Sequence, residues 1–428
     1  MAGILVSDWL PARQLDPGAD RLPMVRNFAV AYDRSAQMIS IKYDLQDKDE
    51  KEVSVRICYF SEKNNFLRTF KESGTGDLGD AIHPGTGKKI EIPFRNETKL
   101  SDIKVVLLVN DKIAFPVADY IREIDTNALK LNVERIYGIR NRITNPGHLA
   151  TVKIQLSDSL VKYGYDVIHQ PFVYKGYKAD NIIARKPGFG KKRKKIILCA
   201  HYDTVIDSPG ADDNASGVAA LLEIARILSS IPCENAVEII FFDLEEPGMI
   251  GSREYVKSQD KEMEQIVGAV NLDMIGYMSS EVNSQHLPEA ISLAFPAVSK
   301  KVEQNEGRGD FVACIANESS VDLRNEFVEG MGKYIPERKI FSILTPGKSD
   351  VLPYLRDSDH SPFWDKDYAA IFVGDGSDSR NPNYHSPRDT TGTLNYTFMK
   401  DVTGAILVVA IQKSDSKHGT MIWKSISL

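Results

Sequence analysis

Two periods of hydrophobic patterning divide the chain. Between about residues 25 and 118, apolar positions alternate with polar ones: Ile39, Ile41, Tyr43 and Leu45, then Val53, Val55, Ile57 and Tyr59, then Ile90, Ile92 and Phe94. Period two in short runs marks strands with one buried face, and turns rich in Gly, Pro and Asp at 74–79 and 83–87 punctuate the runs. The pattern predicts an all-β sandwich of immunoglobulin or fibronectin type over residues 25–118, after an N-terminal segment 1–24.

From Asp125 the period changes. Strands are predicted at 167–174, 181–185, 195–200, 236–244, 267–273 and 369–373. Helices are predicted at 150–163, 215–230, 252–258, 321–334 and 395–412. A partly helical stretch over 129–148 is interrupted by Asn145-Pro146-Gly147. In the 215–230 helix, Val218, Leu221, Leu222, Ala225 and Leu228 recur at helical spacing and form a core stripe. Alternating strands and helices predict an α/β domain over 119–428, a mixed, mostly parallel sheet flanked by helices. At 428 residues the chain exceeds what one hydrophobic core usually serves.

A net charge of -6 argues against nucleic acid as a partner. The one basic run, Lys191-Lys192-Arg193-Lys194-Lys195, reads as a solvated turn. No stretch is long and apolar enough to span a bilayer. Asp8, Pro11 and Arg13 stand where a signal peptide needs apolar residues, so the protein is cytoplasmic or its leader has been removed. The four cysteines, Cys58, Cys199, Cys233 and Cys314, lack metal-knuckle spacing.

The candidate chemistry lies at element boundaries. His201 and Asp203 follow an apolar run, Ile196 to Ala200. Asp212 and Asp213 open a helix, Glu245 and Glu246 end a strand, Asp273 ends another, and His385 lies in a late loop. Most of these are C-terminal strand ends, where open α/β sheets place their ligand crevice. Carboxylates with imidazoles suit zinc and similar divalent ions, and two ions sharing a carboxylate form a co-catalytic site. Singly, each motif has a plainer meaning: a Glu pair is usually solvated, and an Asp pair at a helix start is usually a cap. Their number and order point to metal.

The motifs His201-x-Asp203, Pro209-Gly210-Ala211-Asp212-Asp213-Asn214-Ala215-Ser216-Gly217, Phe241-Phe242-Asp243-Leu244-Glu245-Glu246, Asn271-Leu272-Asp273-Met274-Ile275-Gly276 and His385-Ser386-Pro387-Arg388-Asp389-Thr390 resemble those of the dizinc aminopeptidases. That group includes the bacterial secreted leucyl aminopeptidases and is related to glutamate carboxypeptidase and glutaminyl cyclase. The resemblance spans about residues 125–414 and leaves the sandwich outside the shared catalytic core.

It implies a metal-dependent exopeptidase acting on peptide or protein N-termini with two Zn2+ ions per chain. Asp213 is the implied bridge, chosen over Asp212 by its distance from Gly217. Glu246 and His385 complete one zinc site, and His201 and Asp273 the other. Glu245 is the implied general base, taking a proton from the metal-bridging water and passing it to the leaving amine. Asp203 is implied to accept the other ring N–H of His201. The Ser358–Phe363 segment is implied to line the site, with His360 in its wall rather than on a metal, and 277–355 to shape the substrate pocket. A cis peptide is implied at Asp213–Asn214. A secreted or periplasmic location is implied as well, with cytoplasmic residence left open.

Three alternatives stand beside this one. A glutaminyl-cyclase-like acyltransferase typically uses one zinc, whereas the full two-metal set is present here. A non-catalytic binding protein on the same fold would have lost Glu245 or a ligand. The related carboxypeptidases and deacylases place a longer interval between H-x-D and the bridging Asp and carry an inserted dimerisation domain.

Overall fold

The period-two runs fold as strands with their apolar faces together. The computed structural model describes residues 22–47, 52–61, 67–69, 74–94, 103–112, 114–190, 192–259 and 264–426, so most of the N-terminal segment 1–24 lies outside the described residues. The N-terminal strands are β1 (Met24–Asp33), β2 (Met38–Gln46), β3 (Val53–Ser61), β4 (Leu67–Thr69), β5 (Thr75–Gly76), β6 (Gly79–Ile82), β7 (Gly85–Pro93) and β8 (Ile103–Asn110). One sheet has the order β1-β2-β7-β5, and β8-β3-β4 belong to a second. Ile39, Ile41, Tyr43, Leu45, Val53, Val55, Ile90 and Ile92 are buried between them. These are the positions that the alternation marks as inward-facing.

The α/β half continues through α1 (Val117–Arg122), α2 (Thr126–Ile136), α3 (Pro146–Lys162), β9 (Asp166–Tyr174), β10 (Tyr177–Lys186), β11 (Lys194–His201), α4 (Gly217–Leu228), β12 (Ala236–Phe242), α5 (Ile250–Lys257) and β13 (Gln265–Leu272). Then come α6 (Glu289–Ala294), α7 (Pro296–Gln304), β14 (Phe311–Asn317), α8 (Val321–Tyr334), β15 (Lys339–Thr345), α9 (Ser361–Asp365), β16 (Ala370–Gly374), α10 (Tyr396–Lys413) and β17 (Gly419–Ser425). Among the described residues, one sheet has the order β15-β14-β16-β13-β11-β12-β10-β9. Strands β12, β11, β13 and β16 run parallel; β10 is antiparallel to that centre and β9 antiparallel to β10 in turn, while β14 and β15, parallel to each other, run against the centre on its other side.

The central strand β11 is an unbroken apolar run because both its faces are covered. Ile196, Leu198 and Ala200 join the core that contains α4, α8 and α10. Ile197 and Cys199 join the opposite core with Tyr255, Phe363 and Trp364.

Three local readings need correction. Asn145-Pro146-Gly147 starts a helix instead of interrupting one. The Asn145 side chain accepts the His148 N–H at 3.2 Å and Pro146 opens α3. Within the basic run, Lys195 is buried in β11, with its ammonium 2.9 Å from Glu238. Carboxylates that meet the buried side chain offset its loss of water. Strands β14 and β15 carry no clean alternation, since Phe311, Ala313, Ile315, Phe341 and Ile343 face a cavity instead of a packed layer.

The last strand has the largest consequence. β17 pairs antiparallel with β8 from Gly419↔Asn110 to Ser425↔Lys104, so the C-terminus completes the sandwich sheet. On the outer face of that sheet, Cys58, Val106 and Leu108 pack with Phe189 and Met421. Asp111 and His418 form a buried pair at the crossing, and Phe115 stacks on Tyr120 at 4.6 Å between ring centres. The chain therefore crosses between its two halves twice, side by side. Replacing His418 with Ala leaves the Asp111 carboxylate buried without its imidazole. We expect a loss of about 1–3 kcal/mol in urea unfolding, the cost of removing one partner from a buried hydrogen bond. Asn or Gln at 418 should recover part of it.

Candidate metal centre

Parallel neighbours end at the same edge of a sheet, and this assembles the site. In register, His201 stands opposite Phe242, and Cys199 opposite Asn271. Residues just past β11, β12 and β13 therefore share one crevice. His201 ends β11, Glu245 and Glu246 follow β12, and Asp273 follows β13. Asp213 enters from the irregular turn 211–216 before α4, and His385 from the loop after β16.

Asp213 lies between the two imidazoles. Its Oδ1 is 3.2 Å from His201 Nε2, and its Oδ2 is 3.1 Å from His385 Nε2. His385 Nε2 is also 3.1 Å from Glu246 Oε2, and His201 Nε2 is 3.3 Å from Asp273 Oδ1. His201, Asp213 and Glu246 each place a ligand atom within 4.8 Å of the others. All five predicted metal positions thus converge. The Glu245 carboxylate lines the same cavity and is not part of this ring of close pairs.

Asp203 meets the expectation in part. Its Oδ1 is 3.5 Å from His201 Nδ1, at the outer limit of hydrogen bonding. Its firm bonds are to the backbone N–H groups of Glu245 at 3.1 Å and Glu246 at 3.3 Å. It therefore fixes the Glu pair at least as much as it orients the imidazole.

The Asp pair divides its labour. Asp212 is wholly buried and accepts the Gly276 N–H at 2.8 Å and the Asn381 amide at 2.7 Å, which commits it to the scaffold. Asp213 alone reaches the imidazoles, and the Asp213–Asn214 peptide is cis.

Further residues hold this turn and its surroundings, and among them Arg140 carries no legible sequence signal. Arg140, fully buried beneath it, donates to the carbonyls of Tyr202 at 2.8 Å, Pro209 at 3.0 Å and Gly210 at 2.9 Å. Burial lowers its pKa to about 10 against the pull of Asp213 and Asp389. Asp389 accepts the N–H groups of Asp212 and Asp213 at 2.9 and 3.1 Å. Ser358 donates to Asp273 Oδ2 at 2.6 Å. Two glycines are obligatory. A Cβ on Gly210 (φ 60°) would lie 2.2 Å from Asp213 O, and one on Gly217 would lie 2.4 Å from Asn214 Oδ1. His360 is buried, its Nε2 lies 2.9 Å from Leu355 O, and burial lowers its pKa to about 4. It forms part of the cavity wall as a neutral ring.

The electrostatics call for added positive charge. Burial, with Asp213 beside it, raises Glu246 to about 7. Burial together with Asp359 and Asp273 raises Glu245 well above the ordinary carboxylate range, despite His201 nearby. Burial disfavours the charged form of His385, yet hydrogen bonds that its ring donates to Asp213 and Glu246 raise it to about 10. Five carboxylates around two imidazoles are an unbalanced set, and a cation among them favours every anion at once. Oxygen and imidazole nitrogen together suit zinc, so the residues present fit such an ion.

A cavity of about 510 Å³ opens beside Glu245, His201 and Asp273. Phe311, Ala313 and Ile315 of β14, Phe341 and Ile343 of β15, and Phe372 of β16 form its floor, and Ile291 and Val302 its roof. As the sequence led us to expect, much of the 277–355 segment shapes it.

The model of peptidase family M28 matches residues 181–321, which hold every candidate above except His385. Over this segment the chain is similar to peptidase family M28. Among curated proteins, uncharacterized protein YfbL of Escherichia coli (strain K12) is 32% identical over 228 residues, covering 50% of this chain and 65% of YfbL. Aminopeptidase YwaD of Bacillus subtilis (strain 168) is 42% identical over 100 residues, 23% of this chain and 22% of YwaD. The chain thus spans less than two thirds of either relative. The crystal structure of the LapA aminopeptidase of Legionella pneumophila aligns over 75% of each chain at 19% identity with a TM-score of 0.54, a likeness of fold.

Within this M28 fold, Arg140 generates a prediction. Arg140→Lys keeps the charge and loses the planar fork that serves several carbonyls at once. We expect at least ~3 kcal/mol of destabilisation in denaturant unfolding, about two charge-assisted hydrogen bonds lost. A loss below about 1 kcal/mol would show that the turn holds itself.

Proposed function

We propose that the protein is a metal-dependent aminopeptidase. The observation that carries this is Asp213, with one carboxylate oxygen facing each of two imidazoles in the wall of a cavity with many apolar lining residues. Glu246 and His385 would hold one zinc ion, His201 and Asp273 a second, and Asp213 would be shared. When bound, two such cations polarise a peptide carbonyl and offset the negative charge that develops on its oxygen.

The chain's own groups do the rest. Glu245 takes a proton from the attacking water at a carboxylate oxygen and delivers it to the departing nitrogen. Its raised pKa suits a group that must hold that proton between the two events. Asp203 fixes the backbone that aims it. The cavity beside Glu245 has room for a residue next to the proposed ions, which suits an enzyme that works from a chain end. Its floor and roof of Phe, Ile and Val favour a large apolar N-terminal side chain such as Leu, Met or Phe.

A one-metal acyltransferase is the weaker reading, because it leaves the His201–Asp273 pair without a purpose. The sandwich over 25–118, joined by β17, contributes no residue to the proposed site, and we assign it an accessory role. Export is the proposed destination; one relative is named a probable lipoprotein aminopeptidase.

Glu245→Gln preserves volume and removes the base. We expect kcat to fall at least ~10²-fold, the scale of general-base catalysis, with zinc content unchanged by elemental analysis. Glu246→Gln should instead lower bound zinc. Equal metal loss in both variants would overturn the division of roles. A single ion per chain at saturating zinc would favour the acyltransferase. Chelation should abolish hydrolysis of leucinamide, and added zinc should restore it.

A further inference from the structure

A second cavity, of about 570 Å³, adjoins the metal centre and shares Glu246 and His385 with the first. Different segments build it. Ile143 comes from the α2–α3 connection, Ile206 from the loop after β11, and Tyr177 from the start of β10. These three apolar side chains are 65%, 48% and 47% exposed at its mouth. Water-facing apolar groups converging from separate segments mark a binding surface more than chance exposure.

The surface is held rigidly. Asn141 donates to Thr204 O at 2.8 Å, and Thr144 to Ile206 O at 3.1 Å. The Arg142 guanidinium ties the same connection to the Asp243 carboxylate and to Lys178 O. The three apolar groups are thereby fixed relative to the Glu246–His385 pair, so little ordering remains to be done when a ligand arrives.

We propose that this cavity is the subsite for the leaving portion of the peptide, and that it selects an apolar side chain on the residue just after the scissile bond. The proposal rests on the aminopeptidase reading. An N-terminal residue seated in the cavity beside Glu245 places the scissile bond at Asp213. The chain must then leave past Glu246 and His385, and the second cavity continues from those two residues. Its occupant is thus the rest of the same substrate, reached by direct continuity with the site.

The test uses the zinc-loaded full chain and a series of Leu-Xaa-amides with Xaa as Gly, Ala, Leu, Phe or Asp, together with leucinamide, which has no residue in this subsite. We expect kcat/KM to rise at least ~10-fold from Gly to Leu at Xaa, the scale on which an apolar pocket discriminates. Ile206→Ser and Ile143→Ser change exposed side chains. Each should flatten that preference while leucinamide turnover stays within about 2-fold, because those residues meet no group of leucinamide. Calorimetry on the Glu245→Gln protein should rank the intact peptides in the same order. A flat Xaa profile with active enzyme overturns the subsite and leaves the aminopeptidase reading intact. A change in preference for the first residue, instead of the second, overturns the assignment of the two cavities. Failure to cleave any substrate with a free amino terminus overturns both readings.

Discussion

The buried guanidinium of Arg140 is the constraint on which the centre depends. A turn that presents Asp213 to two imidazoles must point its own carbonyls away from them, into the protein. Carbonyls turned inward without partners are costly, and the backbone N–H groups of Gly138 and Ala215 serve only those of Pro209 and Gly210. Arg140 meets the carbonyls of Tyr202, Pro209 and Gly210 from below, and Asp389 meets the N–H groups of Asp212 and Asp213. With both sets satisfied, the Asp213 carboxylate is free to face the imidazoles. Gly210 and Gly217 leave room for a path that a Cβ would block.

The sheet supplies the other half of the arrangement. Parallel strands β11, β12 and β13 end side by side, so residues far apart in sequence arrive within a few ångströms of one another. Covered on both faces, these strands resist the shifts that a crowd of carboxylates would otherwise drive. The same sheet builds the substrate cavity where its cover thins. Phe311, Ile315, Phe341 and Ile343 lie under open space instead of a packed helix, which makes an apolar floor beside a strongly polar wall. One structure thus serves charge at one point and hydrophobic recognition next to it.

The two halves of the molecule are joined through paired strands at both ends of the α/β segment. β8 leads into it and β17 returns from it, hydrogen-bonded to each other. Asp111 and His418 seal the point where they diverge. The two connections thus leave the sandwich from neighbouring strands of one sheet, which distinguishes this joint from a single linker.

The sequence alone determined what depends on local order. Period-two alternation marked the sandwich core, since Ile39, Ile41, Val53 and Ile90 each needed only a neighbouring strand to face inward. The apolar run of β11 and the stripe on α4 marked the buried centre of the α/β sheet. The ligand-type residues were legible because their chemistry is scarce and their boundaries sharp. Tertiary structure decided the rest, where the partner lies far along the chain. β17 has no strong pattern of its own and is a strand because β8 offers it an edge. Lys195 looks solvated until Glu238 is brought against it. Arg140 sits among ordinary loop residues, and nothing short of the folded turn shows which carbonyls it serves. Asp203 resembles a partner for His201, yet the fold brings two backbone N–H groups closer to it. Side-chain type and periodicity are written in order along the chain. Which buried charge meets which partner depends on distances that exist only once the sheet has closed around them.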